Sequence, residues 1–240
     1  MISEARSVLL LLFGGALLRI SLSDVYLRYV KAGVRPLLIA AGAILVVIAL
    51  VTLFRELFQP RTHDHDHDEG DAHGHKHGGG VVAWLLVLPV LAIFLIGPPA
   101  LGSYAAGRTG TAVAAKSQYP PLPAGNPVPV TLLDYASRAI WDQGLSLNSR
   151  HLLLTGFASP RPGGGFYLTR MVITCCAADA LPIKIEMRGN VPDGLSANTW
   201  LNVVGTYVPG TDVDPLNRQP IPFVSVASAK RIAAPEEVYE

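Results

Sequence analysis

Hydrophobic positions along this chain follow two different patterns. In the first hundred residues they run together with no polar face, and in the last hundred they come as short runs broken by turn residues. Between Arg35 and Arg55 there is no charge, and Leu37 to Phe54 reads LLIAAGAILVVIALVTLF. At a rise of ~1.5 Å per residue, about 18 to 20 helical residues cover most of a ~30 Å hydrocarbon core. A helix apolar on every side has nothing to present to water, so this run predicts a transmembrane helix. Val81 to Leu101, VVAWLLVLPVLAIFLIGPPAL, predicts another. Pro89 lies inside it, which membrane helices tolerate, and Pro98 and Pro99 mark its end. A weaker span is predicted over residues 6–27. Its apolar stretch is interrupted by Arg19 and Asp24. A charge at that depth is costly unless it faces protein or snorkels to an interface. Tyr26 and Tyr29 suit an interfacial belt. The rival reading, a secretory signal peptide, lacks a small-x-small cleavage site.

Residues 1–101 are therefore expected to be a multi-pass membrane α-helical region of three spans, with lipid as a partner. Arg28, Lys31 and Arg35 crowd the shortest loop, and Arg108 and Lys116 follow the third span. Arg6, Arg55, Arg61 and Lys76 lie opposite. The dense triplet leans the C-terminal region towards the cytoplasm. Residues 102–129, rich in Pro, Gly and Ala and including YPPLPAGNPVP, read as a linker.

Residues 130–240 read as a small mainly-β domain, an OB-like barrel with one helix. Thr131 to Gln143 carries Leu132, Leu133, Ala136, Ala139 and Ile140 at helical spacing, with Thr131 as N-cap and Gly144 as stop. Five β-rich runs follow: Leu152–Ala158, Phe166–Thr174, Ile183–Met187, Thr199–Val208 and Phe223–Ile232. Gly, Pro and Asn clusters separate them.

Charge removes several functions. Nine basic side chains face ten acidic ones from residue 127 onwards, and the whole chain carries a formal +1. A nucleic-acid binder needs a basic face, so none is expected. Two cysteines exclude a disulfide framework. No Ser/His/Asp set, phosphate loop or paired-carboxylate site is readable, so no enzyme is expected.

Two segments carry chemistry. The loop at 62–80 contains HDHDHDEGDAHGHKH, with His63, His65, His67, His73, His75 and His77 interleaved with Asp64, Asp66 and Asp68. Imidazole nitrogen and carboxylate oxygen suit Zn²⁺ and its transition-metal neighbours. Glycines at 70, 74 and 78–80 allow the segment to wrap an ion without fixed geometry. The bland alternative is a solvated polar spacer. The second segment is Arg170-Met-Val-Ile-Thr-Cys-Cys-Ala-Ala-Asp-Ala180, which holds both cysteines. Cys175 and Cys176 read in three ways: thiolate ligands completed by Asp179 or His151, a strained vicinal disulfide, or small packing residues. In a regular strand their side chains would point to opposite faces, so a shared site needs a turn. Arg170 and Asp179 are candidates for an ion pair.

The string RMVITCCAADALP, with Gly156-Phe157 before it and Thr199-Trp-Leu-Asn-Val-Val-Gly205 after it, resembles the signature of the YcgQ-like bacterial membrane proteins, described as permease subunits. Arg170, Cys175, Cys176, Ala178, Asp179, Ala180, Trp200 and Gly205 carry the resemblance, and the Tyr-bearing end, Pro235 to Tyr239, is similar too. It implies an accessory subunit beside a larger multi-spanning permease, linked to a divalent metal, Zn²⁺ foremost. A membrane-anchored metal sensor or chaperone is the alternative, and a thiol–disulfide protein a more distant one.

Overall fold

The computed structural model describes residues 2–58, 99–116 and 118–240. They belong to two compact units, one comprising residues 1–26 and 33–99 and the other residues 27–32 and 100–240. The His63–His77 tract and nearly all of the span expected at 81–101 lie outside the described residues.

The first unit is a pair of helices, α1 (Ile2–Leu22) and α2 (Arg35–Phe58). Glycine lets them approach closely. A Cβ on Gly14 would stand 2.8 Å from Val46, and one on Gly42 would stand 2.9 Å from Leu18. Ala49 is buried in the pair, and Ser7 Oγ lies 3.1 Å from Thr52 Oγ1. Near the other end the Arg35 Nε donates to the Ser21 carbonyl at 3.0 Å, with the guanidinium 5.6 Å from the Tyr26 ring. Small residues at the contact and large ones outside it are the pattern of helices that associate without a hydrophobic drive between them.

This unit corrects the three-span expectation. Among the described residues one helix is long and apolar enough to cross a membrane, Ala32–Arg55. The Ser7–Leu22 stretch is a shorter apolar helix. The physical reason is written in its charges. Arg19 sits in the last turn of α1, the helix stops at Leu22, and Asp24–Arg28 continues as a 3₁₀ turn. The region expected to be one helix through residue 27 therefore ends several residues early.

The second unit is built on a closed β-barrel. Its strands are β2 (Leu152–Pro160), β3 (Phe166–Val172), β4 (Leu181–Gly189), β5 (Trp200–Val213) and β6 (Pro220–Ile232), preceded by a short β1 (Val128–Pro129). Around the barrel the order is β2-β3-β4-β6-β5, and β5 pairs back onto β2. All neighbours are antiparallel except β4 with β6. Closure leaves no free edge among the five strands. Two register shifts, at Val204/Gly205 and at Val208/Thr211, bend the longest pair, β5 with β6. A Cβ at Gly205 would lie 2.4 Å from the Ser225 carbonyl, so only glycine permits this crossing.

Alternation directs Leu152 and Leu154, then Ile183 and Ile185, then Leu201 and Val203 inward. Helix α4 (Leu132–Trp141; α3 is the single turn Ser103–Ala106) adds Leu132, Tyr135, Ala136 and Ala139 to that core. These positions recur at i, i+3, i+4 and i+7, the stripe of an amphipathic helix. Thr131 Oγ1 accepts the Asp134 amide at 3.1 Å and caps it.

Residues 102–129, which read as a linker, run along this unit. Thr111 is fully buried. Its amide donates to Asp214 Oδ2 at 2.9 Å, and its hydroxyl accepts the Lys184 amide at 3.1 Å. Lys184 Nζ donates to the Thr109 carbonyl and to Asp214 Oδ2, each at 2.9 Å. The chain end is tied down as well. The Glu240 amide donates to the Met171 carbonyl at 3.0 Å, and the Glu240 carboxylate accepts the Leu132 and Leu133 amides, each at 3.0 Å. An acidic side chain on exposed helix amides is favoured by the helix dipole. Burial still raises the Glu240 carboxyl above its usual range.

Candidate metal centre

Strand β3 ends at Val172, and the chain then turns sharply through Thr174 and Cys175 into a single 3₁₀ turn, Ala177–Asp179. The small side chains of Ala177 and Ala178 allow that turn. Asp179 folds back over it. Its Oδ1 accepts the Thr174 amide at 2.8 Å, and its Oδ2 accepts the amides of Cys175 at 2.9 Å and Cys176 at 3.4 Å. The Cys175 thiol donates to the same Oδ2 at 3.1 Å. The Asp179 amide donates to the Cys176 carbonyl at 3.1 Å and closes the turn.

The result is a compact donor set. Cys175 Sγ, Cys176 Sγ and an Asp179 oxygen all lie within 4.8 Å of one another. Both cysteines are free thiols, Cys175 exposed and Cys176 partly so. Two sulfurs and a carboxylate oxygen are a set that Zn²⁺ accepts, with solvent access for a further ligand. Among the described residues this is the one group of three or more such side chains close enough to share an ion.

The electrostatics follow from the geometry. The hydrogen bond from Cys175, then the backbone amides, hold the Asp179 carboxyl down at about 2. The same bond keeps the proton on sulfur, and with the neighbouring Cys176 it raises the Cys175 thiol to about 11. A thiolate beside an ionised carboxylate is disfavoured unless a cation joins them.

The structure sorts the residues named from sequence. Cys175, Cys176 and Asp179 come together. His151 is exposed at the start of β2 and is outside the group. The tract histidines His63, His65, His67, His73, His75 and His77, with Asp64, Asp66 and Asp68, lie outside the described residues. Arg170 does not serve Asp179. Its guanidinium donates to the Glu237 carbonyl and lies 4.9 Å from the Trp200 ring. Trp200 meets Phe157 edge-on at 5.5 Å. These family-like residues thus anchor the chain end beside the turn.

One contributor had no signal in the sequence. The segment Tyr29–Lys31 pairs with the cysteine turn, Val30 forming an antiparallel bridge with Cys176. The Lys31 amide donates to the Cys175 carbonyl at 3.1 Å, and the Ala177 amide donates to the Tyr29 carbonyl at 2.7 Å.

A helix pair of small-residue contacts and a closed barrel bearing a thiol–carboxylate turn define a two-unit protein. Residues 5–112 match the DUF1980 N-terminal domain and residues 147–240 the DUF1980 C-terminal domain, so the chain carries both domains of the DUF1980 family. No curated protein and no solved structure matches it.

Proposed function

We propose that this protein is a membrane-anchored accessory subunit of a bacterial permease, and that it binds a thiophilic divalent metal ion, Zn²⁺ foremost, through Cys175, Cys176 and Asp179. The observation that carries the reading is the convergence of those three donors within 4.8 Å on a solvent-facing turn. A dication supplies the charge that the thiol–carboxylate pair lacks. It displaces the Cys175 proton and turns a repulsive neighbour into a fellow ligand. The His63–His77 tract, with Asp64, Asp66 and Asp68, supports the same reading as a collector of loosely held ions.

The exposed apolar surface of α2 supports membrane anchoring. Only 11% of the apolar window in its helix is buried, and Leu37, Ile44 and Phe54 are each more than half exposed. Such a surface needs lipid or another apolar partner. One helix of spanning length among the described residues suits an accessory role beside a multi-spanning permease, as the resemblance to YcgQ-like proteins implies. A thiol–disulfide enzyme is disfavoured, because a thiol held at about 11 carries little thiolate at neutral pH.

The test is zinc binding by the full chain in mild detergent against a competing chelator. Three proteins are compared: the wild type, a deletion of residues 63–77, and Cys175→Ser/Cys176→Ser. The double variant is expected to lose one tight site while the deletion loses only weak ones. Unchanged zinc affinity and stoichiometry in the double variant would sink the metal centre. Affinity is also expected to rise about tenfold per pH unit for each thiol proton displaced, because the working pH lies below the thiol's range. Purification under the same detergent without a multi-spanning partner would remove the permease half of the reading.

A further inference from the structure

We propose that the segment Tyr29–Lys31, which links α1 to α2, is the outer brace of the metal centre, and that metal occupancy and the seating of this segment are thermodynamically coupled. The proposal rests on the metal reading above. Its observations are independent of the donor set.

Beyond the end of β3 the cysteine turn has no barrel strand beside it, so its backbone groups need other partners. The segment supplies them on both sides of Cys176. It takes the Cys175 carbonyl through the Lys31 amide at 3.1 Å and the Ala177 amide through the Tyr29 carbonyl at 2.7 Å. Lys31 Nζ donates to the Ile173 carbonyl at 3.4 Å, one residue before the turn begins. The Arg28 carbonyl accepts the Tyr239 hydroxyl at 2.9 Å, and that oxygen in turn accepts the Leu101 amide at 2.9 Å. Residues 28–31 thus join the cysteine turn on one side and the Tyr239–Leu101 pair on the other.

The two cysteine ligands are thus held from opposite sides. Asp179 grips the amides of Thr174, Cys175 and Cys176 from within the turn, and Tyr29–Lys31 grips its outward-facing groups. A zinc ion draws its ligand atoms to about 2.0–2.3 Å. That breaks the Cys175 thiol to Asp179 hydrogen bond and fixes the turn in one geometry. A turn already fixed offers its carbonyl and amide to the segment at a smaller entropic cost. By linkage, a seated segment presents a better formed donor set to the metal, by the same factor. Lys31 is here a positioning residue acting through its backbone amide. The segment is also the chain's connection between α1 and α2, so metal arriving at the barrel is felt at the residues that join the two helices.

The experiment is hydrogen exchange of the full chain in mild detergent, with and without Zn²⁺, read on peptides covering residues 27–32. In the wild type, zinc is expected to slow exchange at Lys31 about tenfold or more. In Cys175→Ser/Cys176→Ser it should do nothing there. The reciprocal arm is Lys31→Pro, which removes the amide donor and leaves all three ligands in place. Its zinc affinity should fall by the factor that zinc adds to segment protection. Zinc bound by the cysteines with no change over 27–32 would overturn the coupling and leave the metal centre standing. No difference in zinc binding between wild type and the double variant would overturn the metal centre itself, and the coupling with it. Zinc-dependent protection persisting in the double variant would assign the response to another ion site and overturn the proposal. The wild-type arm decides even where Lys31→Pro fails to fold.

Discussion

The helix pair and the barrel unit use nearly the same apolar side chains in opposite ways. In the barrel the large aliphatic residues turn inward, and Leu152, Leu154, Ile185 and Leu201 are wholly buried. In the helix pair they turn outward, with Leu37, Ile44 and Phe54 each more than half exposed, while Gly14, Gly42 and Ala49 occupy the contact. The barrel has the arrangement that water imposes. The helix pair has the arrangement that an apolar surrounding permits. The difference teaches that composition alone does not tell a core from an exposed apolar surface. What separates them is the size of the residues at the contact.

The strongest way to break the comparison is electrostatic. Lys184 and Asp214 form a 2.9 Å ion pair, with side chains 6% and 0% exposed, and it ties residues 109–111 to β4. Burial pushes the Asp214 carboxyl up, but Lys184 and the amides of Leu216 and Thr111 outweigh it and hold it below its usual range. Asp214→Ala leaves the ammonium buried and unpaired. The barrel is expected to lose about 3–5 kcal/mol, measured by denaturant unfolding of the full chain in detergent. A loss below about 1 kcal/mol would show that water reaches the pair.

Next in size is the packing contrast itself. Leu154→Ala empties a fully buried barrel site and should cost about 2–5 kcal/mol. Ile44→Ala on α2, where the side chain is 59% exposed, should cost about 0.5 kcal/mol or less in the same detergent. Equal costs would mean that the outer face of α2 is packed against protein, and would weaken the membrane reading. A third variant attacks the helix contact. Gly42→Ala places a Cβ 2.9 Å from Leu18 and should cost about 1–3 kcal/mol of helix pairing, read by hydrogen exchange of α1. The same change at Gly15, where a Cβ meets nothing within 4 Å, is expected to be silent.

Legibility in the sequence divides along local and long-range lines. The five strand runs were readable because alternation and turn residues are local signals. Their ends were not. β5 continues past Val208 through Pro209 and Gly210 to Val213, because the register shift there relieves proline of its ladder bond. Residues 102–129 looked like a linker because they are rich in Pro, Gly and Ala. The buried Thr111 among them is explained only by Lys184 and Asp214, which lie far away in the chain. The early end of α1 was foreshadowed by Arg19 and Asp24, charges that sat badly in a span. At the candidate site, Asp179 was within reach of the cysteines once the backbone turned, since it lies four residues after Cys175. The Tyr29–Lys31 brace left no trace, because pairing between remote extended segments creates no local pattern.

The smallest expected effect concerns the exposed thiol of the barrel unit, Cys175. Asp179 both orders the cysteine turn and keeps its thiol protonated, and the two roles separate in Asp179→Asn. Without the carboxylate charge the Cys175 thiol should drop from about 11 towards its ordinary value of about 9. Cys176 keeps its share of the rise, so the fall is partial; the gain in thiolate at pH 7.5 still exceeds the loss of nucleophilicity that goes with lower basicity. Metal-free Asp179→Asn is therefore expected to react with iodoacetamide faster than the wild type at Cys175, by up to about tenfold. That gap should close as the pH rises through the wild-type thiol's range. The sign for stability runs the other way. A carboxyl held at about 2 when folded contributes stability above its unfolded range near 4 and loses it as the pH falls through 2. Wild type and Asp179→Asn should accordingly differ most in stability to denaturant at neutral pH and converge below about pH 2. Slower alkylation in the variant would mean that Asp179 acts on Cys175 as a base rather than as a charge that holds its proton.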